Sequence, residues 1–135
     1  MASTQIGQDN VALVRRGFEA FGTGDIATLT ELFHPDATWH APAVGVLGGD
    51  RIGRDAIFAM FGMLGQETNG TFRAIPSTFA AAGDDQVFVR VYATGTRNDK
   101  SLESDEMLVF TLAEGKLRDV RFFMFDYPGN VAFWS

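Results

Sequence analysis

Apolar residues recur at helical spacing near the start of the chain: Val11, Val14, Phe18 and Phe21 fall on one helix face, and Gly22 and Gly24 end the run. Asp9 or Asn10, after a short polar tail, is placed to cap this helix. Asp25 opens a second, shorter helix carrying Ile26, Leu29, Leu32 and Phe33, which Pro35 prevents from running past His34. A short strand is expected from Ala37 to His40. Ala41 and Pro42 then lead into a loop with Gly45, Gly48, Gly49 and Gly53, expected to be mobile. Asp55 caps or begins a third helix, in which Ile57, Phe58, Phe61 and Leu64 form the apolar stripe.

From Phe72 the period shortens to that of strands. Segments near 72–82, 86–96, 102–112 and 116–126 are separated by Gly-Asp-Asp, Asn-Asp-Lys-Ser and Glu-Gly, which predicts an antiparallel meander. Helices followed by strands give an α+β domain with three N-terminal helices on one face of a curved sheet. With turns centred on Asn98 to Ser101 and on Glu114-Gly115, alternation places Phe88, Arg90, Tyr92, Asp105, Met107, Val109, Val120, Phe122, Met124 and Asp126 on one face. Val87, Val89, Val91, Glu106, Leu108, Phe110, Leu112, Leu117, Arg121, Phe123 and Phe125 take the other. One β-bulge would exchange the faces beyond it. Three helices cover only one face, so the other is expected to meet a second copy of the chain in a homodimer.

Length changes the picture little: 135 residues fit one domain, 1–135, with no repeat or linker. The 46% hydrophobic content, with 13 Phe, is enough for a sizeable core. The net charge of -6 repels phosphate backbones and anionic headgroups, so neither nucleic acid nor membrane is expected as a partner. Without Cys there is no thiolate nucleophile and no Cys-ligated zinc, and two His are too few for an all-His metal centre. Chemistry without a metal or organic cofactor is expected. The opening residues are neither basic nor apolar, and no run of about 18 apolar residues occurs, which points to a cytoplasmic location.

Arg90, Tyr92, Asp105 and Asp126 form the candidate chemical set: a desolvated carboxylate beside a guanidinium and a phenol can act as a base with oxyanion donors at hand. The competing reading is an Arg–Asp pair that serves the sheet alone. His40 can exchange a proton near neutral pH, although alternation turns only one of Trp39 and His40 inward, and Trp39 is the better candidate. Glu106 and Arg121 read as a structural ion pair across the last hairpin. The glycines between Gly45 and Gly53 make no phosphate-binding fingerprint, and Arg51 and Arg54 read as solvated charge.

Phe21-Gly22-Thr23-Gly24-Asp25, the stretch Leu32-Phe33-His34-Pro35-Asp36-Ala37-Thr38-Trp39-His40-Ala41-Pro42, and Gly53-Arg54-Asp55-Ala56-Ile57 follow one another in an order the second half continues. There Val109-Phe110, Glu114-Gly115-Lys116-Leu117, Phe125-Asp126 and Phe133-Trp134-Ser135 complete the series. In these motifs the chain resembles the SnoaL-like, ketosteroid-isomerase-related branch of the nuclear transport factor two superfamily over nearly its whole length. The resemblance implies a cone of curved sheet closed by helices around an apolar cavity, and frequent dimerisation across the outer sheet face. The superfamily spans isomerases, polyketide cyclases, dehydratases, epoxide hydrolases and noncatalytic binding domains.

Matching by residue narrows this range. The base that precedes the matched Pro42 in ketosteroid isomerases is Ala41 here, the oxyanion Tyr falls near Gly17 or Phe18, and the strand carboxylic acid near Met107 or Leu108, so that mechanism is disfavoured. Limonene-epoxide-hydrolase-like enzymes match at Arg90 and Asp126, but Tyr92 replaces their first Asp. SnoaL-like cyclases match at Asp126. The sequence therefore leads to an apolar cavity lined by Phe18, Trp39, Phe58, Phe61, Met107, Phe122 and Met124, with Asp105 nearby, binding a small apolar organic molecule. Asp126 is the expected proton acceptor, beside Arg90, with Tyr92 or His40 donating. Cyclisation, isomerisation, dehydration and epoxide hydrolysis stay open, as does a noncatalytic ligand-binding or dimerisation module.

Overall fold

The computed structural model describes residues 4–135, with every side chain among them except that of Val46. The first three residues of the polar tail lie outside the described residues. Helix α1 spans Gln5–Thr23 and starts earlier than Asp9, because Thr4 accepts a hydrogen bond from the Gly7 amide and caps it. Asp25 caps α2, Ile26–Leu32, as the sequence predicts. Strand β1, Phe33–His40, begins before Ala37 and contains Pro35, which is exposed in a stretch where the ladder with its neighbour is interrupted and no amide hydrogen is needed. After a single 3₁₀ turn at Gly45–Leu47 come β2, Arg51–Ile52, and α3, Arg54–Glu67.

Four longer strands follow: β3, Arg73–Ala82; β4, Gln86–Arg97; β5, Lys100–Ala113; and β6, Lys116–Met124. The chain closes with a fourth helix, α4, Tyr127–Trp134, which Asp126 caps. The six strands form one sheet in the order β2-β1-β6-β5-β4-β3. The sheet is mixed rather than wholly antiparallel, because β1 returns alongside β6 in parallel. The architecture is α+β, with helices packed on one face of the sheet.

Two turns set the register. Asn98 and Asp99 take positive φ in a two-residue turn, so Arg97 pairs with Lys100, Arg90 with Met107 and Tyr92 with Asp105. This shifts the expected four-residue turn by two positions and leaves the faces of β4 and β5 unchanged. Glu114-Gly115 turns as expected, but a bulge between Thr111 and Leu112 gives β6 one extra residue, Arg118, against β5. Beyond it every side chain of β6 changes face: Val120, Phe122 and Met124 join Leu108 and Phe110, while Arg121 and Phe123 join Met107 and Val109.

The helices cover the face with the unbroken apolar run. Val87, Val89, Val91, Leu108, Phe110, Leu112, Leu117 and Val120 are buried there against Val14, Leu29, Leu32, Ile57 and Met60. At roughly 25 cal/mol per Å² of apolar surface, burial of these side chains is the main force holding helices to sheet. No described helix is long and apolar enough to cross a membrane.

Candidate functional site

Between the helices and the concave face of the sheet lies a hollow of about 110 Å³. Its wall is almost entirely apolar. Phe18 and Phe21 come from α1, Phe33 and Trp39 from β1, Phe61 from α3, Phe110 from β5 and Phe122 and Met124 from β6. The rings lock one another edge to face: Phe21 and Trp39 each meet Phe61 this way, with centroids 5.1 and 5.6 Å apart, and Phe18 meets Phe110 at 5.8 Å. One rim is built by the loop after β1, through Ala41, Val44 and Leu47, and by Trp134 of α4. Gly45 sits so close to α4 that a Cβ there would lie 2.2 Å from the Trp134 carbonyl oxygen, so only glycine lets loop and helix meet. The end of α4 is held in turn by Arg97, whose guanidinium donates to the Phe133 and Ser135 carbonyls, and by Lys100, which donates to Ala132 and Ser135.

One ionisable side chain lines this hollow among the described residues: Glu106, on β5, at 4% exposure. Burial among apolar groups pushes its carboxyl up from 4.5 to about 7; a hydrogen bond from Ser104, two residues along the strand, opposes the rise, and the neighbouring Asp105 charge adds to it. Beside it stands Asn130 of α4, 2% exposed and also in the wall. Its amide nitrogen donates to the Ser104 hydroxyl oxygen at 3.0 Å and to the Asp126 carbonyl at 2.9 Å. Polar groups thus gather at one corner of a greasy cavity, supplied by β5 and α4.

The sequence-predicted site residues divide between two places. Phe18, Trp39, Phe61, Phe122 and Met124 line the hollow, as expected. Phe58 does not reach its wall; it packs behind, against Phe33 and stacked on Phe61. Arg90, Tyr92, Asp105 and Met107 lie on the opposite, outer face of the sheet. The expectation that they share a face with Phe122 and Met124 is corrected by the Arg118 bulge, which reverses β6 relative to β5. Arg90 pairs there with Asp105 at 3.3 Å and lies over the Phe125 ring, while Tyr92 donates to Glu103 at 3.1 Å. That carboxylate partner raises the Tyr92 phenol above its ordinary value. Side chains of Arg90 and Asp105 are 45% and 55% exposed.

Asp126 is also outside the hollow. Its carboxylate accepts from the Gly129 amide at 3.0 Å and caps α4 in an exposed position, so it is spent on the helix. His40 points away from Trp39, as alternation requires. Its Nδ1 lies 3.0 Å from Asp50 in the loop and its Nε2 3.0 Å from Asp119 on β6, which also receives the Thr38 hydroxyl at 2.5 Å. His40 therefore ties the loop to the sheet from outside. Arg121 pairs with Asp119 at 3.3 Å and not with Glu106, which faces the other way. Arg54 donates to the Thr30 and Phe33 carbonyls rather than standing free in solvent.

Glu106, Ser104 and Asn130 escape the sequence reading for related reasons. Glu106 lies on the expected face with Val89, Val91, Leu108 and Phe110, but the bulge replaces its expected partner Arg121 there with Phe122 and Met124, and Asn130 sits on a helix not expected from the chain's end. Two signals point to them: the unbroken Val87, Val89, Val91 alternation marks the helix-facing side, and Asp126 followed by Pro128 marks a helix start.

Residues 14–120 match the family model of the SnoaL-like domain. An uncharacterised protein of Mycobacterium tuberculosis (strain ATCC 25618 / H37Rv) is 31% identical over 123 residues, which cover 91% of this chain and 94% of that protein. Bal32a, from a soil-derived mobile gene cassette, is 38% identical and superposes with a TM-score of 0.94 over 97% of this chain and 100% of its own. A protein of unknown function with a cystatin-like fold from Xanthomonas campestris is 28% identical, with a TM-score of 0.85 over 93% and 97% of the two chains. The match spans most of the chain, from α1 into β6: the chain belongs to the SnoaL-like domain family, within the nuclear transport factor two-like superfamily.

Proposed function

We propose that this chain binds a neutral or weakly polar organic molecule in the hollow and catalyses proton transfer on it, without a metal or organic cofactor, using Glu106. The observation that carries this reading is a single carboxyl, 4% exposed, in a wall that is apolar apart from Asn130. A carboxyl raised to about 7 is present in both forms at physiological pH, so one group can take a proton and give it back. As carboxylate, Glu106 removes a proton from a carbon next to a carbonyl, leaving the electron pair in an enolate. As carboxylic acid, it returns that proton to another atom of the same molecule. Isomerisation and aldol-type cyclisation need only this one shuttle. Epoxide hydrolysis by an opposed acid and base needs two groups, and the hollow offers Glu106 alone among the described lining residues. Arg90, Tyr92 and Asp126 drop out of the chemistry in this reading, because their surroundings are water, ion pairs and a helix cap.

A reaction on a substrate not yet known can be followed with stand-ins. In deuterated buffer, bicyclic ketones such as 1-tetralone and 2-tetralone exchange the hydrogens next to their carbonyl, which proton NMR records. The protein is expected to speed this exchange above the buffer rate, and Glu106→Gln to abolish the acceleration. Binding without acceleration would overturn the catalytic reading in favour of a noncatalytic module for apolar ligands.

The outer sheet face supports a homodimer. Ile75, Phe88, Tyr92, Phe123 and Phe125 are exposed there around the Arg90–Asp105 pair, a patch of the kind that a second copy covers. A concentration-independent mass near 14.7 kDa would reject this association.

A further inference from the structure

We infer that Asn130 reads a hydroxyl group on the ligand, so the molecule the hollow takes is an apolar, ring-bearing compound carrying a neutral alcohol, enol or phenol. The inference rests on the hollow's being a ligand site, and it concerns which ligand, not which reaction.

The wiring of the polar corner carries it. The Asp126 carbonyl can only accept, so the group of Asn130 that meets it at 2.9 Å must be the NH₂. The same nitrogen donates to the Ser104 oxygen at 3.0 Å, so both amide hydrogens are spent. Ser104, accepting through its oxygen, has one hydrogen left, and it bears on Glu106. The direction of both Asn130 bonds is therefore fixed, to the Ser104 oxygen and to the Asp126 carbonyl. No described residue donates to the carbonyl oxygen of Asn130, although this side chain is 2% exposed and stands in the cavity wall. That oxygen is not sealed off, since Arg97 Nε alone is a buried side-chain atom without a partner among the described residues, so it keeps accessible surface and a ligand can supply the donor that the protein does not.

Chemistry then selects the ligand group. A ketone or ether oxygen offers no hydrogen and faces the Asn130 oxygen with like partial charge. A hydroxyl donates to Asn130 and accepts from Glu106 when that group is protonated, so both ends of its dipole find partners in that state. Nine aromatic side chains in the wall, among them Phe61, Phe72, Trp39 and Trp134, favour a flat ring system for the remainder of the molecule.

The test compares 2-naphthol with 2-methylnaphthalene, which replaces the hydroxyl by a methyl of similar size, in equilibrium dialysis at neutral pH. The naphthol should bind about tenfold tighter, the factor one good hydrogen bond supplies, although its hydrocarbon counterpart is the more apolar. Glu106→Gln should keep that preference. Asn130→Leu should erase it while still holding 2-methylnaphthalene. The wild type and Glu106→Gln together decide the matter even where Asn130→Leu does not fold, since neither alters position 130. Equal affinities in the wild type would overturn the hydroxyl reading and leave the hollow standing as a ligand site. Loss of the preference in Glu106→Gln would overturn the assignment to Asn130. Failure of both compounds to bind the wild type would instead strike the proposed function itself.

Discussion

The two faces of the sheet carry the same kinds of charged group and treat them oppositely. On the outer face carboxylates come with partners: Asp105 with Arg90, Asp119 with His40 and Arg121, all within reach of water. On the inner face Glu106 has no cation, only a serine hydroxyl and aromatic walls. An exposed ion pair contributes little, because water competes for both charges. A lone buried carboxyl is costly when ionised, and that cost raises its pKa into the range where proton transfer is useful. The paired charges are held by one another and by water, whereas the lone carboxyl is the one that burial raises toward neutral pH.

Four substitutions sharpen this contrast, from the largest effect downward. Phe110→Ala on the inner face removes a buried ring packed on Phe18 and should cost about 3–5 kcal/mol in urea denaturation. Glu106→Gln should act through pH. The folded carboxyl titrates near 7 and the unfolded one near 4.5, so unfolding releases a proton between these values and the wild type loses stability as pH rises through that window. At about 1.4 kcal/mol per pKa unit the loss approaches about 3 kcal/mol above pH 7. The Gln variant should show no such slope, and its urea midpoint should exceed that of the wild type at pH 8. Asp126→Ala should cost about 1 kcal/mol, the value of a helix cap, with no effect on ketone exchange beyond any loosening of α4. Arg90→Ala should change monomer stability by less than about 1 kcal/mol and leave ligand affinity in dialysis unchanged; a marked loss of affinity would erase the distinction between the faces.

The sequence contained much of the inner wall. Periodicity alone brings Phe18 and Phe61 to the sheet, and alternation turns Trp39 inward and His40 out, as found. Asp25 marks its helix because a cap residue beside a glycine leaves few alternatives. Arg90 and Asp105 lie apart from Phe122 and Met124 for one physical reason: an extra residue at Arg118 leaves no compositional trace, yet with a side-chain period of two it reverses all of β6 beyond it. Phe122 and Met124 thus reach the cavity beside Leu108 and Glu106 rather than beside Met107 and Asp105. Asp126 has the parity of Phe122 and Met124 and leaves the cavity because β6 ends at Met124 and its carboxylate caps α4. The counter-signal lay in β4, where Val87, Val89 and Val91 alternate with Phe88, Arg90 and Tyr92. A face with a guanidinium and a phenol is cheaper to leave wet than one made of valines. Asn130 was harder to see, because its role depends on α4 folding back over the hollow, a tertiary contact held by Arg97 and Lys100 from the far end of the β4–β5 hairpin.

The titration of Glu106 itself tests the account most directly. With the side-chain carboxyl of glutamate labelled with carbon-13 and the Glu106 signal identified by its absence in Glu106→Gln, the chemical shift followed from pH 3 to pH 9 should show a midpoint near 7. A midpoint near 4.5 would mean a hydrated carboxyl, and neither a dry hollow nor a proton shuttle could then be built around it.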